Sequence, residues 1–501
     1  MQPVIPVVLG CPEVLQRRVR YVLDTLMMAL NLDVAYLPGP PDHGPWIWYG
    51  SDSPFGGAHA RCLSIIYDGS AWNSLDRHTD PLEVRTVDGV QVLLPSESSS
   101  KRSSIPFDLI ANAFFFLASL SERQRGRTGN HRGLYVDSVF ARYRVPQDIV
   151  DLYVALLCRR IDEVWAADMC SQRRERWPDQ ASFVVVLSHD VDFVPRGAWE
   201  NALQGLKTVA RHLVSERDLG ETRRAVSGLI RAIRQRRDPY GCVPELISAE
   251  KRAGVRSSFQ VAVGHRHRLD VNYHVTDDKI RDYLRVIVDE GFDLCLHGSY
   301  RSSELPEWYA EEVELLSRRL IKPLGSRQHF LSFTADALYT AQEQNGILYD
   351  MSMGFPDRIG PRSGFSYPYF PFCLSEERPY DVVQMGLMAM DVTLRTYMSL
   401  KEKEAWTAVR AILDALREKG GSTTIDWHPI VFGGARDPGY DRLYWKIVEH
   451  VHATGGLATD GRTLNSFWRS QACRYQSFTN VQSSQGSMGD EVKVAVQTPR
   501  E

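Results

Sequence analysis

The sequence predicts an α/β protein built on a parallel sheet that closes toward a barrel, and three observations carry that prediction. The first is the stretch 183–193, F-V-V-V-L-S-H-D-V-D-F, where an apolar run rich in β-branched valine ends in a polar cluster. Such a run has the character of a strand buried on both faces, as in a parallel sheet covered by helices. The second is the alternation of helix-like and strand-like segments from 240 to 453, which is the pattern of repeated βα units. The third is the placing of His189, Asp190, Asp192, His297 and His428 at the ends of those strand-like runs, with Arg327 opening another. Loops at the carboxyl ends of parallel strands are where such folds build their chemistry.

The elements follow in order. Apolar residues at helical spacing over 13–30, with Arg17, Arg18 and Arg20 on the other side, predict an amphipathic helix. Short β-like runs at 34–37, 46–49, 63–67 and 90–94 predict a small mixed sheet. The segment 107–123 is apolar nearly all round and reads as one buried helix; 147–167, opened by Pro146, reads as another. Together they make residues 1–175 a smaller α/β domain, with a boundary near 170–180. Residues 180–470 then form the barrel-like domain, interrupted by a helical insertion at 196–237. Strands are expected at 257–263, 292–296, 328–333, 382–388 and 423–427, and helices at 243–252, 277–290, 308–320, 335–345, 401–419 and 440–453. The stretch 471–501 is rich in Ser, Gln and Gly and is expected to be a disordered tail.

Composition excludes several classes. With 43% hydrophobic and 24% charged residues among 501, there is ample material for a large core. A net charge of -3 gives no basic field for nucleic acid. The longest apolar stretch, 109–120, is too short to cross a bilayer, and the N-terminus lacks the basic, apolar and small-residue pattern of a leader, so a cytoplasmic protein is expected. The eight cysteines are scattered without a C-x-x-C pair and read as reduced thiols. Segment 223–237 has apolar residues on one face, six arginines and no acid. It reads as a solvated arginine face, with peripheral membrane contact as the alternative.

The polar clusters bring chemistry. His189, Asp190 and Asp192 end one strand; His297 follows F-D-L-C-L; His428 follows T-T-I-D-W; and Arg327-Gln328-His329 opens a fourth segment. If they share one rim, they supply imidazoles and carboxylates for a mononuclear divalent-metal site with a spare acid and base.

In this order, S-H-D-V-D-F, G-F-D-L-C-L-H-G-S-Y, G-S-R-Q-H-F and T-T-I-D-W-H-P resemble the successive motifs of the polysaccharide deacetylase (NodB-homology) superfamily. They are closest to its divergent cytoplasmic branch with an H-D-V-D motif and an extra N-terminal domain. The resemblance covers 180–468 well, includes the segment 354–371, and is weaker before it. It implies a distorted (β/α) barrel of about seven strands and metal-dependent removal of an N-acyl group from a sugar in surface-polysaccharide synthesis. The substrate would be an acylated sugar, nucleotide-linked or lipid-linked, and the cofactor a divalent metal of the zinc type. By the same resemblance Asp190 is the catalytic base, Arg327 orients it, and His428 protonates the departing amine. Asp192 and His297 are metal ligands. Val191 splits the family's adjacent aspartates, leaving open which of the two binds metal, and Arg301 stands where a second metal histidine belongs. His329 or His189 is then the third ligand, and Asp391 the substitute for a later acid. Two other readings accompany this one. A silent carbohydrate-binding or scaffolding protein is suggested by the permanent charge of Arg301 beside a metal, and a non-sugar amide hydrolase would use the same chemistry.

Overall fold

The computed structural model describes residues 4–51, 61–77, 83–94, 103–123, 134–165, 176–195, 226, 238, 240–433 and 439–478. The expected insertion at 196–237, apart from Val226, and the tail at 479–501 lie outside the described residues.

The N-terminal strands β1 (Val4–Leu9), β2 (Asp33–Leu37), β3 (Trp46–Gly50) and β4 (Cys62–Ile66) form a sheet in the order β2-β1-β3-β4, every pairing parallel. The mixed sheet expected here is therefore corrected. Among the described residues of this N-terminal region, antiparallel pairing is found in a separate ribbon, β5 (Arg85–Val87) with β6 (Val90–Val92). Its turn is Asp88-Gly89, both at positive φ, the geometry that matches the twist of a two-residue hairpin. The single helix expected over 107–123 is two, Leu109–Leu117 and Leu120–Arg123, because Ser119 adopts a left-handed conformation at φ 56°. Asp108 caps the first by accepting from the Ala111 N–H.

The second sheet is all parallel and organised around β7 (Val184–Val191), whose eight residues are all buried. Its other members are β8 (Ser258–Ala262), β9 (Asp293–Gly298), β10 (Gly325–Gln328) and β11 (Tyr349–Asp350). After a small hairpin, β12 (Phe372–Cys373) with β13 (Arg378–Pro379), come β14 (Val383–Gln384), β15 (Leu387–Met390), β16 (Ser422–Asp426) and β17 (Leu457–Thr459). The order is β14-β11-β10-β9-β8-β7-β16-β15, with β17 paired to the start of β7.

Its two end strands, β14 and β15, are separated only by Met385 and Gly386. The Met385 N–H donates to Asp350 O on one side, and Gly386 O accepts from the Thr424 N–H on the other. The sheet therefore curls until one interrupted strand closes the ring. Counted so, the path strands make the expected ring of about seven positions. The expected strand at 328–333 is corrected: β10 ends at Gln328, and His329–Leu331 is a tight turn.

The two regions share one hydrophobic core. Helix residues such as Tyr21 and Phe114 pack with Phe372, and Phe116 and Phe140 lead on to Phe355. Buried Arg362 pairs with Glu122 across this seam at 2.6 Å. The C-terminal segment straps the same seam. Helix Gly461–Ala472 continues to Tyr475, which donates to Leu32 O, and to buried Phe478. The disordered tail expected from 471 is thus corrected for 471–478. Among the described residues no helix is long and apolar enough to cross a membrane, and the described cysteines are free thiols.

Candidate active site

The curl of the sheet creates the site. Arg327 on β10 is separated from β7 by two strands, yet its Nη1 donates to Asp190 Oδ1 at 2.6 Å and its Nη2 to Ser188 Oγ at 2.6 Å. The guanidinium also lies 3.0 Å from Asp426 Oδ1 and donates from Nε to Met351 O. A fully buried cation with this many acceptors fixes one oxygen of Asp190. Burial would raise the Asp190 pKa, but the charges of Arg327, His297 and His428 outweigh it and hold the carboxyl below its usual range.

Strand alternation sorts the first motif. Asp190 and Asp192 face the ring interior, whereas His189 turns outward. His189 Nδ1 meets Trp427 O at 2.5 Å and its Nε2 meets Glu250 Oε1 at 3.0 Å. Its ring packs against Phe259 and Tyr444. His189 is therefore a structural group and is removed from the candidate ligands.

Asp192, His297 and His329 converge, each offering one ligand atom within 4.8 Å of the others. His297 Nδ1 is 3.1 Å from Arg327 O, and because a carbonyl only accepts, that nitrogen carries the proton. Its Nε2 then faces Asp192 Oδ1 at 3.4 Å. His329 Nε2 lies 3.8 Å from the same oxygen. His297 Nε2, Asp192 Oδ1 and His329 Nδ1 are buried without a hydrogen-bond partner, and buried polar groups seldom stay unpaired. Two imidazoles and a carboxylate are a donor set that suits a divalent transition metal, so the residues present fit such an ion. Burial lowers the His329 pKa to about 4, which keeps it a neutral donor. Burial would also raise Asp192, but the neighbouring His329, His297 and His428 outweigh it and leave the carboxyl below the usual carboxylate range. Arg301 does not occupy this position. Its guanidinium is 3.9 Å from Glu304 and lies over the Trp308 ring.

On the other side, His428 Nδ1 pairs with Asp391 Oδ1 at 2.7 Å, and its Nε2 lies 3.5 Å from Asp192 Oδ2. Burial would lower its pKa, but Asp391 and Asp426 prevail and raise it well above the ordinary histidine value. Asp426, which the sequence reading gave no role, completes the cluster. Its Oδ1 accepts from the Asp190 N–H, and burial and then the Asp190 charge raise its pKa to about 7. Its sequence signal was the position two before His428 in D-W-H, on the same face of an extended segment.

No family model and no curated protein matches the chain. It is similar to solved structures at low identity. One, assigned as a polysaccharide deacetylase from Mycobacterium smegmatis, is 18% identical over 59% of this chain and 93% of that chain, with a TM-score of 0.40. Another, assigned likewise and from Pseudomonas aeruginosa PAO1, is 14% identical over 60% and 94%, with a TM-score of 0.40. The Puue allantoinase is 13% identical over 60% and 94%, with a TM-score of 0.39. Two of these three carry the name of the superfamily that the sequence motifs resemble.

Proposed function

We propose that this protein is a divalent-metal-dependent hydrolase that removes an N-acyl group from a sugar or sugar conjugate. The observation that carries the reading is the division of one polar cluster into two adjoining sets. Asp192, His297 and His329 bring ligand atoms together, with Asp192 Oδ1 and His297 Nε2 buried and without hydrogen-bond partners, while Asp190 with Arg327 and His428 with Asp391 form a polarised base and acid. The chemistry an ion of this kind supplies when bound is Lewis-acid polarisation of an acyl carbonyl.

The chain's own groups complete the reaction. Arg327 pins one oxygen of Asp190 and leaves the other to accept a proton from the attacking water. His428, kept protonated by Asp391, donates to the departing amine. The sugar, its nucleotide or lipid linkage, zinc as the ion, and a cytoplasmic role in surface-polysaccharide synthesis extend this reading from the motif resemblance. The silent-protein reading draws on Arg301 as a cation beside the metal, and its contacts with Glu304 and Trp308 give that reading little support.

Elemental analysis of untagged protein purified without chelator tests the proposal. Near-stoichiometric divalent metal is expected in the wild type and a large loss in both His297→Ala and His329→Ala. A wild type that is empty and also fails to take up added zinc would overturn it.

Metal uptake should also depend on pH. In the metal-free protein burial lowers the His297 pKa, but Asp190 and Asp192 outweigh burial and raise it above 6.5. The imidazolium therefore adds stability to the metal-free fold below the unfolded value, and this is lost as pH rises through the raised folded value. A metal needs the neutral ring, so affinity should rise by about tenfold per pH unit up to the His297 pKa and then level off. His329, near 4, adds no second proton in that window. Chelator competition at a series of pH values reads this, and a flat profile below neutrality would contradict it.

A further inference from the structure

We infer that the buried pair of His189 and Glu250, on the outer side of the sheet, positions the acid His428 by holding the carbonyl of the residue before it. The inference rests on the hydrolase reading and adds to it two positioning residues that stand behind the site rather than in it.

β7 and β16 part at the level of the site. Their parallel register runs from Val184 opposite Ser422 to Ser188 opposite Asp426, and the Trp427 N–H then donates to Ser188 O at 3.0 Å. In a continued parallel ladder the next bond would run from the Asp190 N–H to Trp427 O. Each of these groups instead meets a side chain of the opposite strand. The Asp190 N–H donates to Asp426 Oδ1 at 3.1 Å, and Trp427 O faces His189 Nδ1 at 2.5 Å. The exchange lets the strands separate while the base Asp190 and the acid His428 stay tied across the gap.

A peptide group is planar, so an anchor on Trp427 O also sets the direction in which the His428 N–Cα bond leaves it. The indole is fixed as well, since Trp427 Nε1 donates to Tyr440 O at 2.9 Å. With this peptide in place His428 Nδ1 meets Asp391 Oδ1 at 2.7 Å and Nε2 is turned toward Asp192.

The chemistry of the pair fits holding better than it fits stability. His189 and Glu250 are both fully buried. A carbonyl only accepts, so His189 Nδ1 carries a proton. Glu250 accepts from Ser257 Oγ at 2.6 Å and from Tyr444 OH, so His189 Nε2, 3.0 Å from Glu250 Oε1, is a donor as well. Burial would lower the His189 pKa, but Glu250 outweighs it and raises it, in keeping with an imidazolium. An ion pair withdrawn from water adds little net stability over an apolar pair of the same size. The ring also lies among Phe259, Phe432 and Tyr444, where a phenyl would pack. What a phenyl would not bring is a donor for Trp427 O, and the carboxylate behind the imidazole keeps that donor aimed.

The test removes the donor without stranding a charge. In His189→Phe with Glu250→Gln the glutamine still accepts from Ser257 and Tyr444, while the phenyl has nothing to give Trp427 O. The probe is the β-1,4-linked tetramer of N-acetylglucosamine, with the full, zinc-loaded chain. This variant is expected to lose about tenfold or more in kcat, with KM and zinc content close to wild type. Its hydrolysis of 4-nitrophenyl acetate should fall by less than about twofold, because that leaving group departs without a proton. His189→Asn with Glu250→Gln places an amide N–H near the position of Nδ1 and should recover most of the kcat. His189→Leu with Glu250→Gln repeats the comparison should the phenyl variant fold poorly. A crystal structure of either apolar variant should show His428 turned away from Asp391, a readout that needs no substrate. Wild-type kcat with His428 in place, equal losses on both probes, or no recovery with asparagine would each overturn the inference. A wild type that takes up zinc but releases no acetate from the tetramer would count against the sugar-amide reading instead, and the position of His428 in the variants would then decide the inference by itself.

Discussion

Asp190→Asn is expected to lower the hydrolytic rate by about 10²- to 10⁴-fold, the range removed with a general base, while fold and metal content stay close to wild type. The asparagine oxygen can still accept from Arg327 Nη1, which holds Oδ1 at 2.6 Å in the wild type. What is lost is the second oxygen, 3.7 Å from His297 Nε2, as a place for a proton. The loss should fall on kcat, because a proton transfer is made only in the transition state. Asp192→Asn should behave differently. Its Oδ1 lies within 3.4 Å of His297 Nε2 and 3.8 Å of His329 Nε2, so its replacement should lower metal content first and activity as a consequence. Release of acylate from N-acyl sugars, measured alongside metal content, separates the two aspartates. If Asp190→Asn shed the metal while Asp192→Asn kept it, the roles would be reversed.

The sequence was most readable where chemistry followed strand periodicity. The valine run of β7 announced a buried parallel strand, and the two-residue spacing of Asp190 and Asp192 put both on one face. The same alternation turns His189 outward to Glu250, and it also marks Asp426 two positions before His428. Both were within reach of the pattern. Asp391 had no such local signal, because it meets His428 across 37 positions of chain through closure of the sheet. Long-range partners of this kind belong to the topology. The left-handed residues Ser119, Phe330 and Leu331 were hidden for a different reason: local propensity favours other conformations there, and tertiary packing overrides it. The first of them split a predicted helix. The other two turned a predicted strand into the corner that presents His329.

Arg327→Met should destabilise the fold by about 3–5 kcal/mol near neutral pH, the cost of leaving buried charges without their partner. Arg327 is fully buried and is the cation that lies against both Asp190 and Asp426. These two carboxyls also meet each other, since the Asp190 N–H donates to Asp426 Oδ1 at 3.1 Å. Even with the guanidinium present, burial and then the Asp190 charge raise Asp426 to about 7. Without it, both acids should titrate above their unfolded values. A raised carboxyl contributes stability that is present below the unfolded pKa and lost as pH rises through the folded one. In the wild type Asp190 has the opposite sign: its lowered pKa adds stability above the unfolded value that is lost in acid. Both terms widen the gap between wild type and variant as pH rises and narrow it in acid. Urea unfolding at about pH 5 and about pH 8 should therefore give a clearly larger difference at the higher pH. Adding Asp426→Asn to Arg327→Met should recover part of the loss by removing one of the two stranded charges. A deficit independent of pH, with no recovery in the double variant, would assign the effect to the hydrogen bonds with Met351 O and Ser188 Oγ instead.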